Sequence, residues 1–193
     1  MEMFHSIQGE GHYAGTAVAF VRLAGCDVGC SWCDVKESWD AGKHELLDVS
    51  QIVTFCNENA SDIVVVTGGE PTMYNLDSLC TALHAAGKRI HIETSGAYPL
   101  TGQFDWITFS PKKFKAPLPE VAEMADELKV VVLNKSDLEF AEKHATTVGE
   151  QCLLYLQAEW DKREKSNALI LEHVQNNPDW KISVQTHKYL NVR

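Results

Sequence analysis

The stretch from Gly25 to Asp34 reads GCDVGCSWCD and carries three cysteines, Cys26, Cys30 and Cys33, in a Cys-x3-Cys-x2-Cys spacing with no fourth cysteine nearby. Iron–sulfur clusters that only transfer electrons are held by four protein ligands. Three thiolates hold three irons of a four-iron cluster and leave the fourth iron open to a small molecule. The spacing therefore predicts a reactive 4Fe-4S cluster on this loop.

Two other interpretations of the three cysteines remain open. A structural zinc site normally has four Cys or His ligands, and His12 and His44 lack zinc-finger spacing to the triplet. A disulfide with one spare thiol needs an oxidising compartment. The chain begins MEMFH without a charged and then apolar leader, which predicts a cytoplasmic protein and so does not favour the disulfide.

The other cysteines, Cys56, Cys80 and Cys152, lie in apolar surroundings and are predicted to be buried packing residues.

A second feature is the β-branched run Val64–Thr67, which is followed directly by Gly68–Pro71. The run is too short for a helix, and its abrupt polar end predicts a parallel strand that enters a loop. Glycines let a ligand approach the backbone closely, and Glu70 can accept hydrogen bonds from an ammonium group. Alone, this segment fits an ordinary strand-to-helix turn. Beside a three-cysteine loop, a binding loop is favoured.

Short apolar strands alternate with helix-like stretches, which predicts a parallel α/β architecture in a single domain over residues 1–193. Strands are expected near Ala17–Leu23, Ile63–Thr67, Ile90–Thr94, Trp106–Ser110, Glu127–Val132, Leu153–Gln157 and Ile182–Gln185. Helices are expected over Ser50–Asn59, Leu76–Ala86, Leu138–Val148 and Glu164–Asn176. So few strands cannot complete a (βα)8 barrel of about 250 residues. We therefore expect a partial (βα) barrel of about six parallel strands, splayed and shortened, with its site at the carboxyl-end rim.

The charge balance limits the partners. A net charge of −10, from 17 basic and 27 acidic residues, argues against a nucleic-acid surface. No apolar run approaches the roughly 20 residues of a membrane span. The expected partner is a free small molecule, with no nucleic acid and no membrane.

The three-cysteine spacing, with Trp32 before the last cysteine, and the Gly68–Pro71 segment resemble the radical S-adenosylmethionine superfamily. The resemblance implies that S-adenosylmethionine chelates the open iron through its amino and carboxylate groups. Its reductive cleavage then yields a 5′-deoxyadenosyl radical that abstracts hydrogen from the substrate. The cofactor carries the difficult chemistry, and the protein orients the reactants and excludes water.

Further segments, spread from near the first residue to near the last, resemble the 7-carboxy-7-deazaguanine synthase family within that superfamily. They are Phe4–Gly11, Phe20–Cys26, Cys30–Asp34, Glu93–Gly96, Ser110–Lys112 and Gln185–Asn191. The resemblance implies a radical ring contraction of 6-carboxy-5,6,7,8-tetrahydropterin to 7-carboxy-7-deazaguanine with loss of ammonia, on the route to queuosine and other 7-deazapurines. It also implies a homodimer and an electron donor such as flavodoxin or ferredoxin.

The resemblance also implies which residues contact the cofactor. They are Trp32, Cys33, Asp34, Gly69, Glu70, Ser95, Ser110, Pro111, Lys112 and Gln157. One departure is visible here, since in the Gln157–Trp160 segment only the glutamine matches the family pattern. Ser110–Lys112 matches the family segment, and a solvated charge pair is the alternative interpretation of Lys112 and Lys113.

The substrate contacts are expected at Ile7, Gln8, Gly9, Glu10, Arg22, Thr67 and His187. Arg22 interrupts the apolar strand Ala17–Leu23, where a charge is costly unless it is paired, and its planar fork suits a carboxylate. A structural carboxylate is the alternative partner. Gln8 and Glu10 can read an amide and guanidine-like edge, or only cap a turn. His187 is expected in a loop after the last strand.

Val35 departs from the family pattern. Many relatives have Thr or Ser two residues after the third cysteine, and its hydroxyl binds a magnesium ion that also holds the substrate. Val35 has no side-chain oxygen, whereas Mg²⁺ prefers oxygen ligands. Two outcomes are expected. The ion is bound by substrate, water and backbone oxygens, or it is absent and Lys36 is the substitute cation.

Two other classes of function fit the cysteine loop. One is a radical enzyme that installs a glycyl radical on a partner protein. The segments Gln8–Gly11 and Gln185–Asn191 argue against this class. The other is a non-catalytic iron–sulfur or zinc-binding module, such as a redox sensor. Metal analysis separates the second class from an enzyme.

Overall fold

In the computed structural model, residues 2–193 are described and eight of their segments are strands of one sheet with the sequential order β1 to β8. The strands are β1 (Glu2–Ile7), β2 (Ala17–Leu23), β3 (Ile63–Gly68), β4 (Arg89–Thr94), β5 (Trp106–Phe109), β6 (Glu127–Val132), β7 (Leu153–Ala158) and β8 (Trp180–Ser183). β1 is antiparallel to β2, and the pairings from β2 to β8 are parallel. The predicted α/β partial barrel is confirmed, with seven parallel strands and an added antiparallel one.

Helices cover the outside of the sheet. They are α1 (Val49–Asn57), α2 (Asp77–Ala85), α3 (Pro119–Glu123), α4 (Lys135–Ala145), α5 (Arg163–Asn176) and α6 (Thr186–Leu190). Short 3-10 helices span Lys36–Trp39, Ala41–Lys43 and Pro71–Met73. No helix among residues 2–193 is long and apolar enough to cross a membrane.

The strands have two differently used faces because successive side chains alternate. In β3, Val64 and Val66 pack in the core beneath α1 and α2, whereas Val65 packs with Phe4 and Phe20 on the inner face. Both faces are covered, which explains the continuous apolar run of this strand. The same alternation puts polar side chains of five strands on the inner face, where they line the cavity described below: Arg22, Thr67, Glu93, Lys129 and Gln157.

The sheet is not closed between β8 and β1, and two loops bridge the gap. The Thr186 backbone N–H donates to the Gly9 carbonyl oxygen over 2.9 Å, and the Gly11 N–H donates to Ser183 Oγ over 2.9 Å. Because β1 runs antiparallel, its end delivers residues 8–12 to the end of the barrel opposite the carboxyl-end rim. These residues form a floor beneath the barrel interior.

Several element boundaries differ from the sequence-based prediction. The last strand ends at Ser183 and not at Gln185, and His187 lies on α6 and not in a loop. Helix α4 begins at Lys135 because Asn134 caps it, its side chain accepting from the Ser136 N–H over 2.9 Å.

The three cysteines outside the triplet are packing residues, as predicted. Cys56 and Cys80 are buried in the core under α1 and α2. Cys152 is half-buried against the second core, which lies under α4 and α5. None of the three lines the large cavity described below.

Candidate active site

A cavity of about 440 Å³ lies inside the barrel, between the cysteine loop and the floor. The three cysteines and every other predicted site residue except Pro111 line it. Pro111 lines a second cavity of about 340 Å³, which shares Trp32 and Lys112 with the first. The structure thus brings the predicted residues together, and their individual roles towards a cofactor or substrate stay predictions.

The three cysteines of the loop are free thiols on one side of the cavity. Burial raises the pKa of Cys30 to about 11, and the nearby Cys33 and Cys26 add to this effect. Among residues 2–193, no three His, Cys, Asp or Glu side chains are grouped closely enough to hold a single metal ion. A four-iron cluster binds each thiolate to a different iron, so three soft sulfur donors spread along one wall fit it. Cluster binding would displace the thiol protons.

The glycine pair after β3 packs against the backbone that leads into the cysteine loop. Gly68 has a φ of 137°, and an added Cβ there would lie 2.1 Å from the Leu23 carbonyl oxygen. At Gly69 an added Cβ would lie 2.2 Å from the Gly25 carbonyl oxygen. The Gly69 and Glu70 N–H groups donate to those same two oxygens over 2.9 and 2.8 Å. Contact between the two loops, more than the expected approach of a ligand, explains both glycines.

Glu70 is a buried hydrogen-bond acceptor at the centre of the loops, only 2% exposed. Its carboxylate accepts from Thr72 Oγ1 over 2.7 Å, Thr94 Oγ1 over 2.5 Å and the Ser95 N–H over 2.8 Å, and also from Ser95 Oγ. A carboxylate offers about four lone-pair sites. These donors therefore use most of the capacity that the sequence assigned to an ammonium group, and they tie the β3 loop to the end of β4.

The floor of the cavity carries a buried charge network around Lys129, whose side chain is 5% exposed. Lys129 Nζ lies 2.5 Å from Glu10 Oε2 and 3.3 Å from Glu93 Oε2. Gln8 Nε2 donates to Glu93 Oε1, and Gln185 Nε2 donates to Glu10 Oε1, each over 2.8 Å. Burial alone would raise the pKa of Glu10, but Lys129 outweighs it and lowers that pKa to about 2. Gln185 Oε1 is buried and has no hydrogen-bond partner among the described residues.

Three members of this network, Lys129, Glu93 and Gln185, were missed by the site prediction. Lys129 interrupts the apolar run of β6 as Arg22 interrupts that of β2, so the argument made for Arg22 also applied to Lys129. Gln185 lay in a segment that carried the family resemblance, but no role was assigned to it. Its side chain faces the same cavity as His187, whose pKa burial lowers.

Arg22 already has a protein partner. Its Nη1 lies 2.5 Å from Glu2 Oε1, because the antiparallel register places Glu2 directly opposite Arg22. Arg193 also contacts the Glu2 carboxylate, and both guanidinium groups lie over the Phe4 ring, at 5.2 and 4.8 Å from its centroid. The alternative of a structural carboxylate is therefore realised in this structure. Arg22 still lines the cavity, where a substrate carboxylate would compete with Glu2.

The lysines near the cysteine loop differ in what they face. Lys112 lines the main cavity, where Nζ donates to Ser110 O and Oγ over 2.6 Å and lies 5.8 Å from the Trp32 ring. Burial lowers the pKa of Lys112. Lys113 pairs instead with Asp137 on α4. Val35 lines the cavity, whereas the Lys36 ammonium lies 5.9 Å over the Trp39 ring and does not reach the lining, which argues against the substitute cation expected there.

Comparison with known proteins gives a consistent family. The model of the radical SAM superfamily matches residues 21–134. A 7-carboxy-7-deazaguanine synthase from Flavobacterium psychrophilum is 51% identical over 192 residues, which cover 100% of this chain and 91% of that protein. The protein of the same name from Synechocystis sp. is 48% identical, with 100% and 92% covered.

A solved structure supports the same relationship. The crystal structure of QueE from Escherichia coli matches with a TM-score of 0.85 at 29% identity, covering 96% of this chain and 92% of that one. The resemblance inferred from the cysteine loop and the flanking segments is thereby confirmed. The chain belongs to the 7-carboxy-7-deazaguanine synthase family of the radical SAM superfamily.

Proposed function

We propose that this protein is a 7-carboxy-7-deazaguanine synthase. It converts 6-carboxy-5,6,7,8-tetrahydropterin to 7-carboxy-7-deazaguanine with release of ammonia, and it depends on a 4Fe-4S cluster and S-adenosylmethionine. The observation that carries the proposal is a single cavity with three cysteines on one wall and a polar, charge-fixed floor opposite them. A glycyl-radical activase is not favoured, because the relatives that match the full chain carry the synthase name.

The cluster side of the cavity holds the cofactors. When bound, the cluster and S-adenosylmethionine supply a carbon radical that abstracts hydrogen. Cys26, Cys30 and Cys33 provide the cluster's thiolates. The predicted cofactor contacts that line the cavity surround the remaining space, and they are Trp32, Asp34, Gly69, Glu70, Ser95, Ser110, Lys112 and Gln157. Lys112, held over Trp32 by Ser110, contributes a positive charge suited to a carboxylate.

The floor recognises the pterin edge. Glu10 stays ionised because Lys129 lowers its pKa, so it offers only acceptor sites to the amino and N–H groups of a guanidine-like edge. Gln185 Oε1 is a further free acceptor. Arg22 binds the substrate carboxylate in place of Glu2, and His187 packs beside Gly9 to close this side of the cavity.

Further features follow from the proposed function. Magnesium plays a weak role, since Val35 brings no oxygen to the cavity. The enzyme is a cytoplasmic homodimer that receives electrons from a flavodoxin or ferredoxin. Exposed apolar side chains of the carboxyl-terminal segment, Tyr189, Leu190 and Val192, offer surface for a subunit contact.

The direct test is anaerobic reconstitution with iron and sulfide, followed by incubation with S-adenosylmethionine, dithionite and the carboxytetrahydropterin. We expect 7-carboxy-7-deazaguanine by mass spectrometry with much less 5′-deoxyadenosine than product, because the loss of ammonia accounts for every atom of the conversion and the abstracted hydrogen must be returned. Cleavage of S-adenosylmethionine that yields no deazaguanine would reject the substrate. One zinc per chain with no iron or sulfide would reject the enzyme altogether.

A further inference from the structure

Two aspartates of the cysteine loop directly follow its first and last cysteines, and a distant lysine holds each of them. Lys115 Nζ lies 2.7 Å from Asp27 Oδ2, and Lys188 Nζ lies 2.8 Å from Asp34 Oδ2. The partners are 88 and 154 residues apart in the chain. We refer to these contacts as the Lys115 clamp and the Lys188 clamp.

The Lys115 clamp joins three segments of the chain. Tyr98, which follows β4, donates its hydroxyl hydrogen to Asp27. Lys115, which follows β5, also donates to the Tyr98 oxygen over 2.6 Å, and its ammonium lies 4.1 Å from the centroid of the Tyr98 ring. A cation over an aromatic face and two hydrogen bonds to one carboxylate define the geometry more closely than a single surface ion pair does.

The Lys188 clamp ties the other end of the loop to α6. Lys188 lies 5.2 Å over the Trp160 ring, which in turn makes an edge contact with Tyr189 at 5.1 Å. Its neighbour His187 faces the substrate side of the cavity. This clamp therefore connects the cysteine loop to the segment that closes the gap between β8 and β1.

Beyond the backbone hydrogen bonds of Gly25 at its start, the loop has few backbone contacts. Residues 24–35 contain no helix or strand. The backbone of Cys26–Asp34 makes two hydrogen bonds to other backbone groups, Cys26 N–H to Trp39 O at 3.3 Å and Cys33 N–H to Cys30 O at 3.2 Å. Ordering a residue costs about 1–2 kcal/mol in backbone entropy, and metal binding must supply that free energy when the site is not preformed. A loop fixed at both ends leaves less of this cost to the cluster.

We propose that Lys115, with Tyr98, and Lys188 are positioning residues that pre-order the cysteine loop for cluster insertion, each acting through an aspartate beside a cysteine. The proposal rests on the loop binding a cluster. Both lysines should also affect the reduction potential of the cluster. Each ammonium balances an aspartate charge next to the cluster, so removing the lysine alone leaves a negative charge that disfavours reduction of the cluster.

The test uses the full chain with Lys115→Met and Lys188→Met. Because exposed ion pairs are individually weak, we expect a two- to fivefold lower iron content in each variant at limiting iron and sulfide, and about tenfold in the double variant. Lys115→Arg and Lys188→Arg should restore iron uptake. Lys113→Met is the matched control, since Lys113 makes an ion pair of 2.6 Å with Asp137 on α4 and not with an aspartate of the loop.

Two further readouts separate positioning from general stability. Amide hydrogen exchange of the iron-free protein should speed up in residues 26–34 of the Met variants, with no change in β3 or β6. An electron paramagnetic resonance titration of the loaded protein should give a more negative cluster potential for Lys115→Met, and Asp27→Asn in the same chain should reverse that shift. Iron uptake, loop exchange and potential all equal to those of the native protein would overturn the clamps while leaving the proposed function intact. Failure of the native protein to take up iron would instead reject the function.

Discussion

Replacing Lys129 with Met removes the ammonium that lies between Glu10 and Glu93 and keeps a side chain of similar length. The ammonium is 2.5 Å from one carboxylate and 3.3 Å from the other, and the Lys129 side chain is only 5% exposed. Removing one partner of a buried ion pair leaves an uncompensated charge and typically costs about 3–5 kcal/mol.

The pKa of Glu10 points the same way. Although burial of the carboxylate opposes the shift, Lys129 lowers that pKa to about 2, against 4.5 for an ordinary glutamate. From the cost of breaking a buried pair, we expect the free energy of unfolding of Lys129→Met to be about 3–5 kcal/mol lower at pH 7. A group with a lowered pKa stabilises the fold above its unfolded pKa and loses that contribution as the pH falls to its folded pKa. The deficit of the variant should therefore shrink as the pH falls from 4.5 towards 2.

Urea unfolding of the iron-free protein, followed by circular dichroism, measures these differences. Adding Glu10→Gln to Lys129→Met should recover part of the loss, because the neutral amide keeps an acceptor for Gln185 and removes one buried charge. Lys113→Met, whose lysine is 38% exposed in its pair with Asp137, should lose no more than about 1 kcal/mol. A loss below about 1 kcal/mol for Lys129→Met, or a double variant no more stable than the single one, would refute the buried-pair reasoning.

Three other predictions concern the cysteines, the substrate carboxylate and magnesium. Cys30→Ala should abolish the brown chromophore and turnover, whereas Cys80→Ala should keep its iron. Visible absorption after reconstitution measures both effects, and the reverse pattern would reject the assignment of the cluster ligands. Arg22→Lys should weaken substrate binding by about 1.5–3 kcal/mol, because a point charge cannot replace the bidentate fork of the guanidinium group. Glu2→Gln should strengthen substrate binding, because it removes the carboxylate that competes for Arg22. Unchanged affinities in a calorimetric titration would remove Arg22 from the site. Native turnover should respond weakly to magnesium after chelation and more strongly in Val35→Thr, and strong activation of the native enzyme at low magnesium would show that other oxygens hold the ion.

The parts of the fold that could be predicted from the sequence are those where one physical signal dominates. β2, β3 and β6 are strongly apolar strands because both of their faces are covered, and a charge interrupts the apolar run only in β2 and β6. β1 was missed because its sequence EMFHSI is short and mixed, and its stability comes from pairing with β2. Helix α6 was missed for a similar reason, since its position depends on the contact between His187 and Gly9 across the open edge of the sheet.

In the site, the residue types could be predicted from the sequence, whereas the partners of those residues could not. A basic residue within an apolar strand is expected to have an acidic partner. This expectation identified Arg22, and it holds equally for Lys129. The partner could not be predicted, because it depends on a strand register in one case and on a loop that crosses the barrel floor in the other. The glycines before Glu70 illustrate this further. Their positions were identified, but their physical reason is a neighbouring backbone 2.1–2.2 Å from where a Cβ would lie.

Arg22 and Lys129, two of the cations that line the cavity, differ in exposure, and that difference bears on how the proposed substrate would be oriented. The Arg22 side chain is 26% exposed in its pair with Glu2, so exchange of one carboxylate for another occurs in partial contact with water and costs little. Lys129 is buried between two carboxylates, and exchange there would leave an unpaired charge. Of these two, Arg22 is therefore expected to exchange its partner for a substrate anion, whereas Lys129 keeps Glu10 ionised as an acceptor. Under the proposed function, a pterin with its carboxylate at Arg22 and its guanidine-like edge at Glu10 would be held at two points, which would fix the ring carbon that it presents to the cluster wall.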